Sequence, residues 1–245
     1  MTKKIAVTGA TGRIGSHIAE IAEQRGHEVV RMSRKRGVDV ITGEGLDFTG
    51  VDIVIDASTS PSPDEESATT FFTTSARNLQ AAASEAGVER IVIISIVGID
   101  PFTSGYNAAK KAHEAAILDG PVPARIVRAT QFHEFVDALM QWGRQGDRIA
   151  VWNMQTQLVA AHAAAEVVVD VALADDAPAT VEVGGPRPER LVEVARLKAA
   201  HDGEDIPVDE APAPTDAELY AQGAVLPGPG ARLVGPTYEA WLTAN

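Results

Sequence analysis

The chain contains no cysteine. That excludes a disulfide framework, a thiolate metal site and a thiol nucleophile, and it is compatible with a cytoplasmic location. Positive charge is also scarce: 21 Lys and Arg stand against 34 Asp and Glu, a net charge of −13. A surface of that sign repels polyanions, which argues against nucleic acid and anionic membranes as partners. Long apolar runs are missing too. The most apolar stretch, Leu158 to Ala174, is interrupted by His162, Glu166 and Asp170, whereas a membrane span needs about 20 mostly apolar residues. Lys3 and Lys4 lead straight into IAVTGATG, where glycine breaks the apolar run, so no secretory leader is expected. No internal repeat occurs. What remains is a soluble, cytoplasmic protein whose hydrophobic share of 45% suffices for a packed core.

The elements alternate. KKIAVT is a β-rich run, and RIGSHIAEIAEQRG follows with Ile14, Ile18, Ala19, Ile21 and Ala22 at helical spacing, closed by Gly26. HEVVRMS, VDIVIDAS, RIVIISIVG and PARIVRAT read as further strands. EESATTFFTTSARNLQAAASEAG, ending at Gly87, and GYNAAKKAHEAAILDG read as helices between them. One more short strand is expected within residues 38–46. Such alternation predicts an α/β fold of Rossmann type, a doubly wound parallel sheet. After about Thr130 the pattern loosens into two helical stretches, a strand at ATVEVGG, a helix at PERLVEVARLKAAHDG, a proline-rich acidic loop with a short strand, and a final helical turn at TYEAWL. The expected organisation is a core over residues 1–145 and a small C-terminal substrate lobe over 146–245, packed as one compact unit.

The stretch VTGATGRIGSH carries glycines at 9, 12 and 15 between a strand and a helix. Gly9 permits a tight turn, Gly12 lets backbone approach a pyrophosphate, and Gly15 lets the helix pack close to the strand. The helix N-terminus then offers free N–H groups and its positive dipole end to phosphates. Gly9, Thr11, Gly12, Arg13, Ile14 and Gly15 are the expected cofactor contacts. At the end of the second strand, where an acidic residue often binds the ribose 2′-hydroxyl of NAD, the chain has Arg31, Ser33, Arg34, Lys35 and Arg36. A 2′-phosphate needs cations and a hydroxyl donor. Ser33 and Arg34, with Arg13 from the glycine loop, therefore point to NADP(H); the alternative is a solvated basic turn. Ala57 and Ser58, after the third strand, are placed to pass under the adenosine ribose.

TGATGRIG, IISIVGID, YNAAK and RATQFHEF together resemble the short-chain dehydrogenase/reductase superfamily, and more narrowly its atypical NmrA-like, NAD(P)H-binding branch, which includes quinone reductase-like members. The resemblance runs from the N-terminus to about residue 140. It implies a catalytic Ser95, Tyr106 and Lys110, with Tyr106 and Lys110 at the i, i+4 spacing that puts them on one helix face. It implies that Tyr106 protonates a substrate oxyanion, that Lys110 biases the phenol and binds the nicotinamide ribose, and that Ser95 orients the substrate oxygen. A free tyrosine has a pKa of about 10, so work near neutrality asks for roughly 4 kcal/mol of bias toward phenolate. Ser104 is a rival for the serine role.

Gln131 and His133, just past a strand end, are the expected substrate-pocket residues. His162, Glu166 and Asp170 read as the polar stripe of an apolar helix, so no metal site is expected. His113 and Glu114 read as a solvent-facing pair. The function so implied is NADPH-dependent reduction of a small carbonyl or quinone-like substrate by hydride transfer. A non-enzymatic NADP(H)-binding redox sensor and a sugar-nucleotide epimerase or dehydratase are the alternatives. The helices FFTTSARNLQ and YNAAKKAHEAAIL are candidates for pairing in a homodimer.

Overall fold

The computed structural model describes residues 2–245. Strand β1 (Lys4–Thr8) leads through the glycine loop to α1 (Arg13–Gln24), which buries Ile14, Ile18, Ala19, Ile21 and Ala22. These are the five apolar residues whose spacing marked the helix. Gly26 follows with φ of 82°, the left-handed conformation that ends such a helix. Then come β2 (Glu28–Met32) and a short 3-10 turn over Arg34–Arg36. Strand β3 (Ile53–Asp56) is buried at all four positions, as a strand covered on both faces must be. Helix α2 (Glu65–Ala86) is capped at its start by Asp64, whose carboxylate accepts the Ser67 N–H at 3.0 Å, and stopped by Gly87 in the left-handed conformation. Strand β4 (Arg90–Ile96), α3 (Gly105–Leu118) and β5 (Ala124–Ala129) complete the regular alternation.

Further along lie α4 (Val136–Trp142), β6 (Arg144–Gln145), β7 (Arg148–Trp152), β8 (Gln155–Thr156), α5 (Ala161–Leu173) and β9 (Thr180–Gly184). The chain ends with β10 (Glu189–Arg190), α6 (Leu191–His201), β11 (Val208–Ala211), α7 (Ala217–Ala221), β12 (Arg232–Leu233) and α8 (Tyr238–Ala244).

The seven-stranded sheet has the order β12-β9-β5-β4-β3-β1-β2. Its β1–β2, β1–β3, β3–β4 and β9–β12 pairs are parallel, so the expected Rossmann-type α/β fold is the one adopted. Strand order reverses at β1, with β2 on one side and β3 on the other. In open α/β sheets the carboxyl ends of the strands at such a switch point form the ligand crevice.

The strand expected within residues 38–46 is not formed. The Asp39 carboxylate accepts the Ile41 N–H at 2.7 Å, its own N–H goes to Glu44 O, and Gly43 and Gly45 have positive φ. Local side-chain and turn bonds here take the backbone groups that a ladder would need.

By its internal contacts the chain divides into two units: residues 1–95, 104–128 and 165–181, and residues 96–103, 129–164 and 182–245. The sequence boundary at 145/146 thus falls inside a segment of the second unit. The first unit's core joins Ala6, Val54, Leu79, Ile91 and Ile126. A smaller cluster sets Phe72 of α2 against Ala109 of α3, with Phe71 and Tyr106 beside it. Full burial of Phe72 contributes about 2–3 kcal/mol. The second unit has its own core around Phe102, Leu139, Ile149, Leu191 and Tyr238. It contains a three-stranded sheet, β11-β7-β6, and a two-stranded one, β8–β10. Among the described residues no helix is long and apolar enough to cross a membrane.

Candidate functional site

The glycine loop sits at the carboxyl end of β1. Gly9 has φ of 66°, and a Cβ there would stand 2.5 Å from Ala57 O. A side chain is excluded on both counts, and the loop lies directly against the backbone that follows β3. At Gly15 a Cβ would stand 2.2 Å from Gly9 O, so the first turn of α1 presses on the loop. Gly12 differs. Its only neighbour within 4 Å of a built Cβ is Gly9 O at 3.1 Å, and its N–H donates to that oxygen at 2.9 Å. Helix α1 starts without a side-chain cap and without an acid in its first turn. Its leading N–H groups and dipole end are therefore left for an anion, and exposed Thr11 and Arg13 flank them, while Ile14 is buried beneath.

The basic segment divides in two. Arg31 is bound by Glu23, with Nε and Nη2 donating to the two carboxylate oxygens at 3.0 and 2.8 Å. Arg34, Lys35 and Arg36 form the exposed 3-10 turn. At its head Ser33 is only 8% exposed, and its Oγ is buried without a hydrogen-bond partner among the described residues. An orphaned hydroxyl beside exposed cations is the donor set that a ribose phosphate requires. The loop, the uncapped helix and this turn fit a dinucleotide cofactor. Ala57 and Ser58 are half-buried beyond β3, and Ser58 Oγ is a second buried hydroxyl without a partner.

Tyr106 and Lys110 both lie on α3, and the structure gives them different partners. The Tyr106 hydroxyl is 2.8 Å from Thr59 Oγ1. Burial pushes the Tyr106 phenol above its ordinary range, and the Thr59 hydrogen bond opposes that in part. Lys110 is 5% exposed. Its Nζ donates to Ile94 O at 2.8 Å, lies 2.9 Å from His113 Nδ1 and sits 4.2 Å from the centre of the Phe72 ring. Burial pulls the Lys110 ammonium down to about 8, against the opposing pull of the Asp56 and Glu114 charges. Ser95 is 2% exposed and its Oγ has no hydrogen-bond partner among the described residues.

The solvent-facing expectation for His113 and Glu114 is overturned. His113 is 1% exposed and Glu114 7%. The Glu114 carboxylate receives Arg128 of β5 through Nε and Nη2 at 2.9 and 2.7 Å. His113 Nε2 faces Asp56 Oδ2 at 3.7 Å. The other oxygen, Asp56 Oδ1, accepts from Thr8 Oγ1 at 2.5 Å and from the Ser58 N–H at 3.0 Å. Sequence reasoning missed this cluster. The signal was the spacing that singled out Tyr106 and Lys110: on α3, Glu114 and His113 continue the same face at i+4 and i+3 from Lys110.

In the second unit, Gln131 is half-buried and its Oε1 accepts from Thr156 Oγ1 at 2.7 Å. His133 is 1% exposed. Its Nε2 lies 3.2 Å from Pro236 O, and its ring meets Tyr238 at 5.3 Å and Trp241 at 5.4 Å. Burial lowers the His133 pKa, so it is held neutral. His162, Glu166 and Asp170 are exposed along α5, with Asp170 paired to Arg25 at 2.7 Å.

Fold and glycine loop together define a Rossmann-type α/β protein. Residues 5–99, from β1 through β4, match the family model described as the NAD dependent epimerase/dehydratase family. No curated protein matches the chain by sequence. A dTDP-4-dehydrorhamnose reductase from Clostridium acetobutylicum superimposes with a TM-score of 0.75 at 19% identity, over 98% of this chain and 97% of that one. WbmG of Bordetella bronchiseptica, solved with NAD and UDP, gives 0.74 at 17% identity, over 99% and 92%. The dTDP-4-dehydrorhamnose reductase of Bacillus anthracis, solved with NADP, gives 0.70 at 17% identity, over 100% and 97%. At these identities the likeness is one of fold.

Proposed function

We propose that this protein is an NADP(H)-dependent oxidoreductase that reduces a carbonyl or quinone-like group of a small organic molecule. The observation that carries the reading is the pairing of an open glycine loop with the exposed Arg34–Arg36 turn, whose first flanking residue, Ser33, holds a buried hydroxyl without a partner. Gly9, Thr11, Gly12, Arg13, Ile14 and Gly15 would hold the pyrophosphate. Ser33 and Arg34 would hold the 2′-phosphate, and Ala57 and Ser58 the adenosine ribose. When bound, the nicotinamide supplies the hydride. The chain's own groups supply orientation and the proton. Tyr106, kept as the neutral phenol by burial, is a proton donor for the substrate oxygen, which suits the reductive direction. Ser95 Oγ has a free donor for the same oxygen. Lys110 offers an ammonium to the nicotinamide ribose. The choice of a quinone-like acceptor rests on the NmrA-like resemblance.

Calorimetry with NADPH and NADH on wild type and on an Arg13→Ala/Arg34→Ala double variant tests the reading. The expected result is an NADPH preference that collapses in the double variant. Equal or absent binding overturns it.

A second reading, a sugar-nucleotide epimerase or dehydratase, is favoured by the family model matched over residues 5–99 and by the UDP-galactose 4-epimerase and NDP-hexosamine 5,6-dehydratase among the fold's solved relatives. It expects NAD retained through purification and no net consumption of cofactor during turnover.

A further inference from the structure

We propose that Asp56 and His113 form a relay that positions Lys110, with His113 held as the Nε2–H tautomer so that its Nδ1 lone pair accepts from the lysine ammonium. The proposal deepens the cofactor reading above and rests on it for its functional meaning. Its geometry is independent of that reading. An ammonium has donors and no lone pair, so at 2.9 Å from Lys110 Nζ the His113 Nδ1 must be the acceptor. The histidine proton then sits on Nε2, and that atom faces Asp56 Oδ2 at 3.7 Å. This separation is too long for a direct hydrogen bond, but both atoms are buried and neither has another partner among the described residues. A carboxylate facing one ring nitrogen selects the tautomer that carries its proton there.

Each member of the relay is itself held. Asp56 Oδ1 is bound by Thr8 Oγ1 and the Ser58 N–H, which leaves Oδ2 for His113. The His113 ring stacks on Phe72 of α2, with centroids 4.8 Å apart and planes inclined by 20°. Lys110 is tied to Ile94 O of β4 at 2.8 Å. Two of its three ammonium protons are thus committed, to Ile94 O and His113 Nδ1, and the Phe72 ring covers the group at 4.2 Å. The charged groups around it are Asp56 from β3 and Glu114 from α3 itself, with Arg128 of β5 paired to Glu114. His113 stays neutral because burial and the Lys110 charge both oppose its protonation. Protonated, it would lose the lone pair that receives Lys110. His113 and Asp56 act through Lys110 and are positioning residues.

Nuclear magnetic resonance on the full chain without cofactor tests the relay. Long-range proton–nitrogen correlation reads the His113 tautomer, with His113→Gln used to assign its signal. The expected finding is a neutral ring protonated at Nε2 that does not titrate near the ordinary histidine value of about 6.5. An Nδ1–H tautomer, or titration near that value, overturns the proposal. This reading needs only the wild-type fold. In a second arm, carbon-13 at lysine Cε follows Lys110, whose midpoint is expected at about 8. Asp56→Asn and His113→Phe should each lower it by about one pH unit, and His113→Gln, which keeps an acceptor, should lower it less. Identical midpoints in all four proteins overturn the relay. Cofactor calorimetry on the same samples separates the two claims. The tautomer with no cofactor binding upholds the relay and ends the reductase reading; cofactor binding with the wrong tautomer does the reverse.

Discussion

Gly15 lies so close to Gly9 that a Cβ on the first would stand 2.2 Å from the carbonyl oxygen of the second. Gly9 is pressed in turn against Ala57, at 2.5 Å from a built Cβ. Gly9→Ala and Gly15→Ala should therefore each cost about 3 kcal/mol, since backbone must move to admit the methyl group. Gly12→Ala meets only Gly9 O at 3.1 Å and has an ordinary φ of −81°. It should melt within a few degrees of wild type while NADPH affinity falls at least tenfold. Thermal melts beside calorimetry check this. A Gly12→Ala protein that binds NADPH normally would remove the loop as the phosphate site.

The Thr59 hydrogen bond lowers the Tyr106 phenol against the upward push of burial. Thr59→Val should move phenolate formation at Tyr106 to higher pH. The ultraviolet titration difference between each protein and its Tyr106→Phe counterpart isolates this residue from the other two tyrosines. Under the reductase reading, the alkaline limb of the rate profile moves the same way. An unchanged titration would show that the 2.8 Å contact is absent in solution.

Lys110 falls from 10.5 to about 8 on folding. Between those values the unfolded chain binds the extra proton, so stability rises with pH across that window. The size is on the order of 3 kcal/mol. His113, held well below 6.5, gives the matching acid limb: the unfolded chain takes up the proton first, and stability falls as pH drops beneath 6.5. Denaturant unfolding over pH should show the alkaline rise flattened in Lys110→Met and the acid fall flattened in His113→Gln. Curves that run parallel to wild type would refute both assignments.

The Glu114–Arg128 pair has side chains only 9% and 14% exposed. Removing one partner leaves the other charge buried, which costs about 3–5 kcal/mol. Arg128→Ala should lose that much. Arg128→Lys should recover only part of it, because a point ammonium cannot supply the two-pronged contact. Arg128→Ala with Glu114→Gln should be more stable than Arg128→Ala alone, a comparison that equilibrium unfolding makes directly.

The sheet was legible because its central strands are apolar at nearly every position and its helices carry local stop signals. Ile53–Asp56 and Gly87 need no distant partner to be recognised. Residues 38–46 misled because Val38 and Val40 have strand character, while Asp39 bonds backbone two residues ahead. The turn and the tight packing of the glycine loop were legible because Gly9 and Gly15 stand where no side chain fits. The His113 cluster was not. Its partner Asp56 comes from a strand 57 residues earlier, and a histidine beside a glutamate on a lysine-bearing helix has the same sequence whether it faces water or core. Only tertiary packing decides between them.

The interleaving of the two units sets a timetable for synthesis. The first unit takes back residues 165–181 after the chain has supplied part of the second. Those residues hold the Val171 and Ala174 carbonyls that receive Arg125, and Ala179 O, which accepts the Ile126 N–H. A nascent chain halted at residue 145 would carry the whole glycine loop and all of α3, yet β5 would lack those partners. The first unit therefore cannot finish folding on the ribosome until residue 181 of 245, more than two-thirds of the polypeptide, has emerged.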